Sequence, residues 1–263
     1  MEFIDIISRV NVAGADNGAV FTDRTRIDAA LRCLEGTPYH LLRAEGIAYV
    51  LAHADYDARR GTLLISCHID HCYRHLFSMP CPDGSYLGTF DNSVTLSVLL
   101  LAMLGGVLPA QTLVALTGDE ENNGHGAEQA LAYLRAQGID PELVMCLDVT
   151  EEGYQQVHYT LENILPRSEF PAAARLRFAD AEAFRQFLLR MVGEPAYTVI
   201  EAEADEAWVY DEEDVNCFTL CLPTHCPAGM HADTGIFIRQ ESLAPYRRAM
   251  ETLCRGVCAL LEG

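Results

Sequence analysis

Residues 112–122 read TLVALTGDEEN: an apolar run from Leu113 to Leu116, then Gly118, then the consecutive acids Asp119, Glu120 and Glu121. A short apolar run bounded by a glycine reads as a buried strand. Groups that directly follow such a strand stand at its carboxyl end, where layered α/β proteins bind ligands. Adjacent carboxylates in a crevice repel each other unless something positive sits between them. A metal ion resolves that conflict, because one glutamate can ligate while its neighbour takes a proton from a bound water.

The same arrangement recurs on either side. The run LLISC (63–67) is followed by His68-Ile69-Asp70, and LVMCL (143–147) by Asp148. His68 and Asp70 are two apart, so they share one face of an extended segment. Asp70 can then orient the imidazole, the usual support of a metal-bound histidine. Taken alone, a histidine at a strand end is equally a structural one. Asp91 opens an apolar stretch, 92–104, that reads as a buried helix; an aspartate there is ordinarily an N-cap. Its two oxygens can also bridge two ions roughly 3.5–4 Å apart. His231 follows the apolar run ending at Leu222 by a short loop. Asp148 and His231 complete a carboxylate and imidazole set of the kind zinc accepts, and manganese or cobalt fits it as well.

Helical spacing over 26–34, strands over 40–42, 47–53 and 62–67, and a turn-rich loop with Pro80, Pro82 and Gly84 make up the first third. Beyond the helix at 92–104 and the strand at 112–117, a helix is expected at 126–136 and a strand at 143–147. The second half reads as a strand (157–161), a helix (180–191), a strand (216–222) and a long closing helix (243–261). This alternation predicts a layered α/β fold with helices on both faces of a largely parallel sheet. The acidic run 201–214 reads as a solvated helix face or loop.

The chain has 263 residues, half of them hydrophobic, enough for one large core, and a single compact domain over 1–263 is expected. Its formal charge of −20 and sequence pI near 4.7 would repel nucleic acid and anionic membranes. All 18 basic residues are arginine, so there is no amine for a Schiff base and no P-loop lysine. The longest apolar stretch, 94–108, is broken by Ser97 and Gly105-Gly106 and falls short of a bilayer span. The ten cysteines, with no signal-like N-terminus, read as reduced thiols of a cytoplasmic protein, and Cys217, Cys221 and Cys226 as buried thiols, not a zinc knuckle.

Five segments, CHID (67–70), GTFDNS (88–93), TGDEEN (117–122), CLDVT (146–150) and PAGMHADTG (227–235), occur in an order that resembles the co-catalytic zinc exopeptidases. That superfamily holds the M28 aminopeptidases, the M42 glutamyl and tetrahedral aminopeptidases, and the M20 carboxypeptidases and deacylases. The resemblance implies a three-layer α/β/α sandwich with a mixed, largely parallel central sheet and two divalent ions, most simply zinc. It implies that Asp91 bridges them, that His68 and Asp148 complete one position and Glu121 and His231 the other, and that Asp70 orients His68. Glu120 would be the general base toward a metal-bridging water, and the Asp91-Asn92 peptide would be cis. The short intervals from His68 to Asp91 and from Asp148 to His231 leave no room for an inserted lid or dimerisation domain, which favours a compact M28-like domain. His71 and His75 in the site loop and Asn92-Ser93 after the bridging aspartate depart from the family pattern.

The function so implied is cleavage of an amide or peptide bond at a chain end, with an aminopeptidase expected first, acting on a peptide or small amide as a monomer or homodimer. A deacylase of small N-acyl substrates and a one-zinc glutaminyl-cyclase-like enzyme are the alternatives, with a degenerate binding protein behind them. His158, Thr224 and His225 are possible pocket residues, and Asp119, His125 and Asp233 are candidates for supporting the ligands.

Overall fold

The computed structural model of the chain describes residues 2–12, 25–193 and 197–262. Helices α1 (Phe3–Val10) and α2 (Thr25–Cys33) precede strands β1 (Tyr39–Glu45), β2 (Ala48–His53) and β3 (Leu63–His68). Two short strands, β4 (Ser78–Pro80) and β5 (Ser85–Gly88), lead into helix α3 (Ser93–Leu104), strand β6 (Thr112–Thr117), helix α4 (His125–Ala136) and strand β7 (Leu143–Thr150). The rest comprises β8 (Thr160–Leu165), α5 (Ala181–Val192), β9 (Tyr197–Val199), α6 (Glu206–Glu212), β10 (Cys217–His225), β11 (Ile236–Arg239) and α7 (Gln240–Glu262).

The strand order is β1-β2-β6-β3-β7-β10-β11-β5-β4, with β8 also on β10 and β9 beside β8. The central pairs β6/β3, β3/β7 and β7/β10 are parallel. The flanking pairs β1/β2, β2/β6 and β10/β8 are antiparallel. This is the mixed, largely parallel sheet that the sequence leads one to expect.

Successive strand residues point to opposite faces, and the apolar runs use both. Val114 and Leu116 of β6, Ile65 and Cys67 of β3, and Met145 and Leu147 of β7 pack into the larger core with α1, α2, α3, α5 and α7. Their neighbours Leu113 and Ala115, Leu64, Val144 and Cys146 pack on the other face with α4 and α6. Strands buried on both faces need such uninterrupted apolar runs. Helix α3 is apolar all round, and all of it except Leu101 and Leu104 is buried, as a helix without a polar face requires.

Helix α4 meets the end of β6 through glycine. Gly126 N donates to Gly118 O at 3.0 Å, and Gly118 N donates to Ile47 O at 3.0 Å. A Cβ on Gly126 would lie 2.4 Å from Gly118 O, so only glycine allows this approach. The contact anchors the loop that carries Glu120 and Glu121.

Several expectations shift. The strand anticipated at 157–161 lies at Thr160–Leu165, and in the stretch read as a turn-rich loop Pro80 ends β4 while Pro82 and Gly84 form its connection to β5. Helix α1 was too short to stand out, and it owes its place to Ile6, Ile7 and Val10, which are buried against the core. The acidic run 201–214 is not simply a solvated face. Helix α6 within it buries Glu206, Ala207 and Tyr210 under the sheet. Among the described residues no helix is long and apolar enough to cross a membrane.

Candidate metal centre

Parallel strands bring their carboxyl ends to one edge of the sheet, and the anticipated side chains gather there. His68 ends β3 and pairs in register with Thr117, the last residue of β6. Asp148 lies near the end of β7, opposite Cys221 of β10. Glu120 and Glu121 follow β6, Asp91 lies between β5 and α3, and His231 lies between β10 and β11. The Asp91-Asn92 peptide is cis. Asn92 Nδ2 donates to Leu147 O at 2.6 Å, tying the start of α3 to β7.

Among the described residues two groups of ligand-type atoms form, each with all members within 4.8 Å of one another: His68, Asp91 and Asp148, and Cys72, Glu121 and His231. His68 Nε2 is 3.3 Å from Asp91 Oδ1 and 3.4 Å from Asp148 Oδ1. His231 Nε2 is 3.2 Å from Asp91 Oδ2 and 3.2 Å from Glu121 Oε2. On the far side of the His68 ring, Nδ1 is 3.4 Å from Asp70 Oδ1. The other Asp70 oxygen accepts from Glu121 N at 3.2 Å, so one carboxylate steadies both the imidazole and the glutamate loop. Glu120 Oε2 stands 4.0 Å from His68 Nε2 and belongs to neither of these two groups.

The electrostatics are those of a site short of positive charge. Burial, opposed by His68 but reinforced by Asp148, Asp91 and Glu121, holds the Glu120 carboxyl well above the ordinary range. Burial and then Asp91 raise Glu121 to about 7, and burial raises Asp148. For Asp91 burial acts in the same sense, but the neighbouring imidazoles of His231 and His68 outweigh it and keep the carboxyl ionised. The hydrogen bond to Asp91 raises His231 to about 9. Carboxylates forced together in this way take up protons or cations. Asp91 Oδ1 and Glu121 Oε1 are buried without a hydrogen-bond partner. Those orphaned oxygens and the mixed nitrogen and oxygen donors fit divalent ions such as zinc.

A cleft of about 790 Å³ opens onto these groups. Besides Asp91, Glu120, Glu121, Asp148 and His231, it is lined by Glu151, Glu152, Glu162, Glu201, Glu203 and Asp205. Sequence reasoning missed this wall, because nothing local marks the run 201–205 as facing side chains supplied by distant segments. Asp205 is fixed there as the N-cap of α6, accepting from Ala207 N at 2.8 Å and from Thr219 Oγ1 at 2.6 Å. Arg26 was missed too. It is fully buried, and its Nη1 donates to Ile69 O at 2.9 Å beneath the His68–Asp70 segment. An arginine in an amphipathic helix carries no signal of that kind.

The residues held in reserve separate. Asp119 has φ 63°, and its carbonyl accepts from Asn123 N at 2.9 Å and Gly124 N at 2.6 Å. Its carboxylate meets His125 Nδ1 at 2.5 Å, so the pair shapes the glutamate loop. Asp233 accepts from Arg74 N at 2.7 Å, outside the ligand groups. His158 lies 3.2 Å from Ser242 Oγ, and the His225 ring stacks on Tyr154; neither lines the cleft. Thr224 turns its hydroxyl to Thr150 O at 2.8 Å. Cys217 and Cys221 are buried as anticipated, whereas Cys226 is only half-buried.

At the level of sequence no family model and no curated protein matches the chain. Solved structures match its fold. The TET aminopeptidase from a marine-sediment Thaumarchaeota archaeon superposes with a TM-score of 0.71 at 12% identity, over 99% of both chains. An aminopeptidase from the archaeon Desulfurococcus kamchatkensis gives 0.70 at 12% identity, over 96% of this chain and 94% of that one. The aminopeptidase PepT from Bacillus cereus gives 0.69 at 10% identity, over 97% of each. These likenesses establish the fold, and they do not single out the M28 branch.

Proposed function

We propose that the chain is a two-zinc aminopeptidase that removes residues from the amino end of peptides. One observation carries the assignment: the two oxygens of Asp91 face different imidazoles, Oδ1 toward His68 at 3.3 Å and Oδ2 toward His231 at 3.2 Å. A carboxylate so placed suits two ions side by side. His68 and Asp148 would hold one ion, Glu121 and His231 the other, and Asp91 both. When bound, the ions supply Lewis acidity and bring the pKa of a water toward neutrality.

The remaining steps belong to the chain. Glu120 lines the cleft beside His68, where a carboxylate outside the ligand set can take a proton from a water and return it to a leaving amine. Asp70 keeps the His68 ring in place. Glu151, Glu152, Glu201 and Glu203 line the cleft, and among the described residues no arginine does. That field attracts a free ammonium group and repels the carboxylate of an N-acyl amino acid, which favours aminopeptidase over deacylase chemistry. The shared fold with solved aminopeptidases supports the same direction.

Glu120→Gln tests the assignment. The variant is expected to keep two ions per chain by elemental analysis and to lose turnover roughly 100- to 10,000-fold on short peptides with a free amino terminus. The wild type should leave the N-acetylated peptides intact. Undiminished turnover in the variant sinks the role of Glu120, cleavage of the acetylated peptides sinks the aminopeptidase reading, and a single ion per chain points to a cyclase-type centre.

A further inference from the structure

Cys72 has no place in the ligand set that the resemblance implies, yet it stands among those ligands. Its Sγ–H donates to Glu121 Oε2 at 3.0 Å. Its sulfur, a Glu121 oxygen and a His231 nitrogen all lie within 4.8 Å of one another. His231 Nε2 is 3.2 Å from the same Glu121 oxygen and 3.2 Å from Asp91 Oδ2. A tetrahedral zinc site with ordinary Zn–S, Zn–N and Zn–O bonds has edges of roughly 3.3–3.5 Å. The separations from Cys72 to Glu121, from Glu121 to His231 and from His231 to Asp91 are within a few tenths of an ångström of that figure.

The sulfur is not the only pointer to an ion here. The Glu121 side chain is 2% exposed, and its Oε1 is buried without a hydrogen-bond partner. A thiol placed merely to satisfy Glu121 Oε2 would leave that oxygen as it is. A cation bound by this carboxylate balances its buried charge.

We propose that Cys72 is a protein ligand of the ion held by Glu121 and His231, completing with Asp91 a closed tetrahedral set. The proposal rests on the two-ion assignment above. When the ion binds, the S–H bond breaks, the proton leaves to solvent, and the sulfur electron pair forms the bond to the metal. The two positions then differ in chemistry. The one at His68 and Asp148 has only nitrogen and oxygen donors, while the one at Glu121 carries a soft thiolate and selects zinc or cobalt over magnesium or manganese. Four protein ligands close a zinc position, whereas three leave room for water or substrate. The open position is therefore on the His68 side, next to Glu120.

Cobalt(II) titration of the chelator-stripped, full-length protein reads this directly. Thiolate ligation gives a near-ultraviolet sulfur-to-cobalt charge-transfer band that nitrogen and oxygen donors do not. The wild type is expected to bind two cobalt ions and develop the band for one of them. Cys72→Ser should lose the band while keeping the visible cobalt spectrum, and Cys226→Ser should retain it. Alkylation of the wild type by iodoacetamide, mapped by mass spectrometry, needs no variant to fold: cobalt or zinc should protect Cys72. Two bound cobalt ions without the band, a band that survives Cys72→Ser, or alkylation of Cys72 unaffected by metal would each overturn the proposal and leave the two-ion centre standing. Failure to bind any cobalt would overturn both.

Discussion

Glu206 sits on α6 beneath the sheet, 3% exposed, with one carboxyl oxygen lacking a hydrogen-bond partner. Burial, partly offset by Ser66 and Thr117, raises its carboxyl to about 7. In the native state it therefore holds a proton that the unfolded chain has already released. Stability from this group is intact below the unfolded value near 4.5, falls as pH rises toward 7, and stays lost above it. The cost at high pH is at most on the order of 3 kcal/mol. Glu206→Gln should thus stabilise the metal-free protein at pH 8 and do little at pH 4.5. Urea midpoints of both proteins at the two pH values check this. A difference that does not change with pH would show that Glu206 is not the titrating group.

Between helix and strand, the contact of α4 with the end of β6 gives the clearest test. Alanine is favoured over glycine in a helix by about 1 kcal/mol, so Gly126→Ala would stabilise α4 if only the helix mattered. The added Cβ would instead meet Gly118 O at 2.4 Å and Gly118 N at 2.5 Å, backbone atoms with no rotamer to give. The expected result is a loss of about 1–3 kcal/mol together with weaker zinc binding, because Gly118 leads into Glu120 and Glu121. Denaturant unfolding and zinc titration read the two effects separately. A variant as stable as the wild type would mean that α4 has room to move.

Across the whole molecule, 38 acidic residues face 18 arginines, and many of the acids converge on the cleft. Screening their repulsion should raise Tm as salt goes from a few millimolar to about 0.15 M. Zinc should raise it further at fixed ionic strength, because only the folded chain presents the centre. A Tm that falls with salt would instead give the larger weight to ion pairs such as Arg135 with Asp140 and Glu213. The layered α/β order and strand β6 to the residue could be read along the chain, and so could the seven candidate site residues that the fold gathers at one sheet edge. Strand alternation, glycine punctuation and a polar residue just past an apolar run are all encoded within a few neighbours. Element boundaries near 160 and the buried side of α6 could not be read, since a polar run buries residues only when a partner surface is present. Cys72 beside His231, Arg26 beneath Ile69, and the acidic wall at 201–205 all depend on contacts between distant segments. Which loops meet is set by the strand order β6-β3-β7-β10 and its crossovers, and that order is a property of the folded sheet that no short stretch of sequence contains.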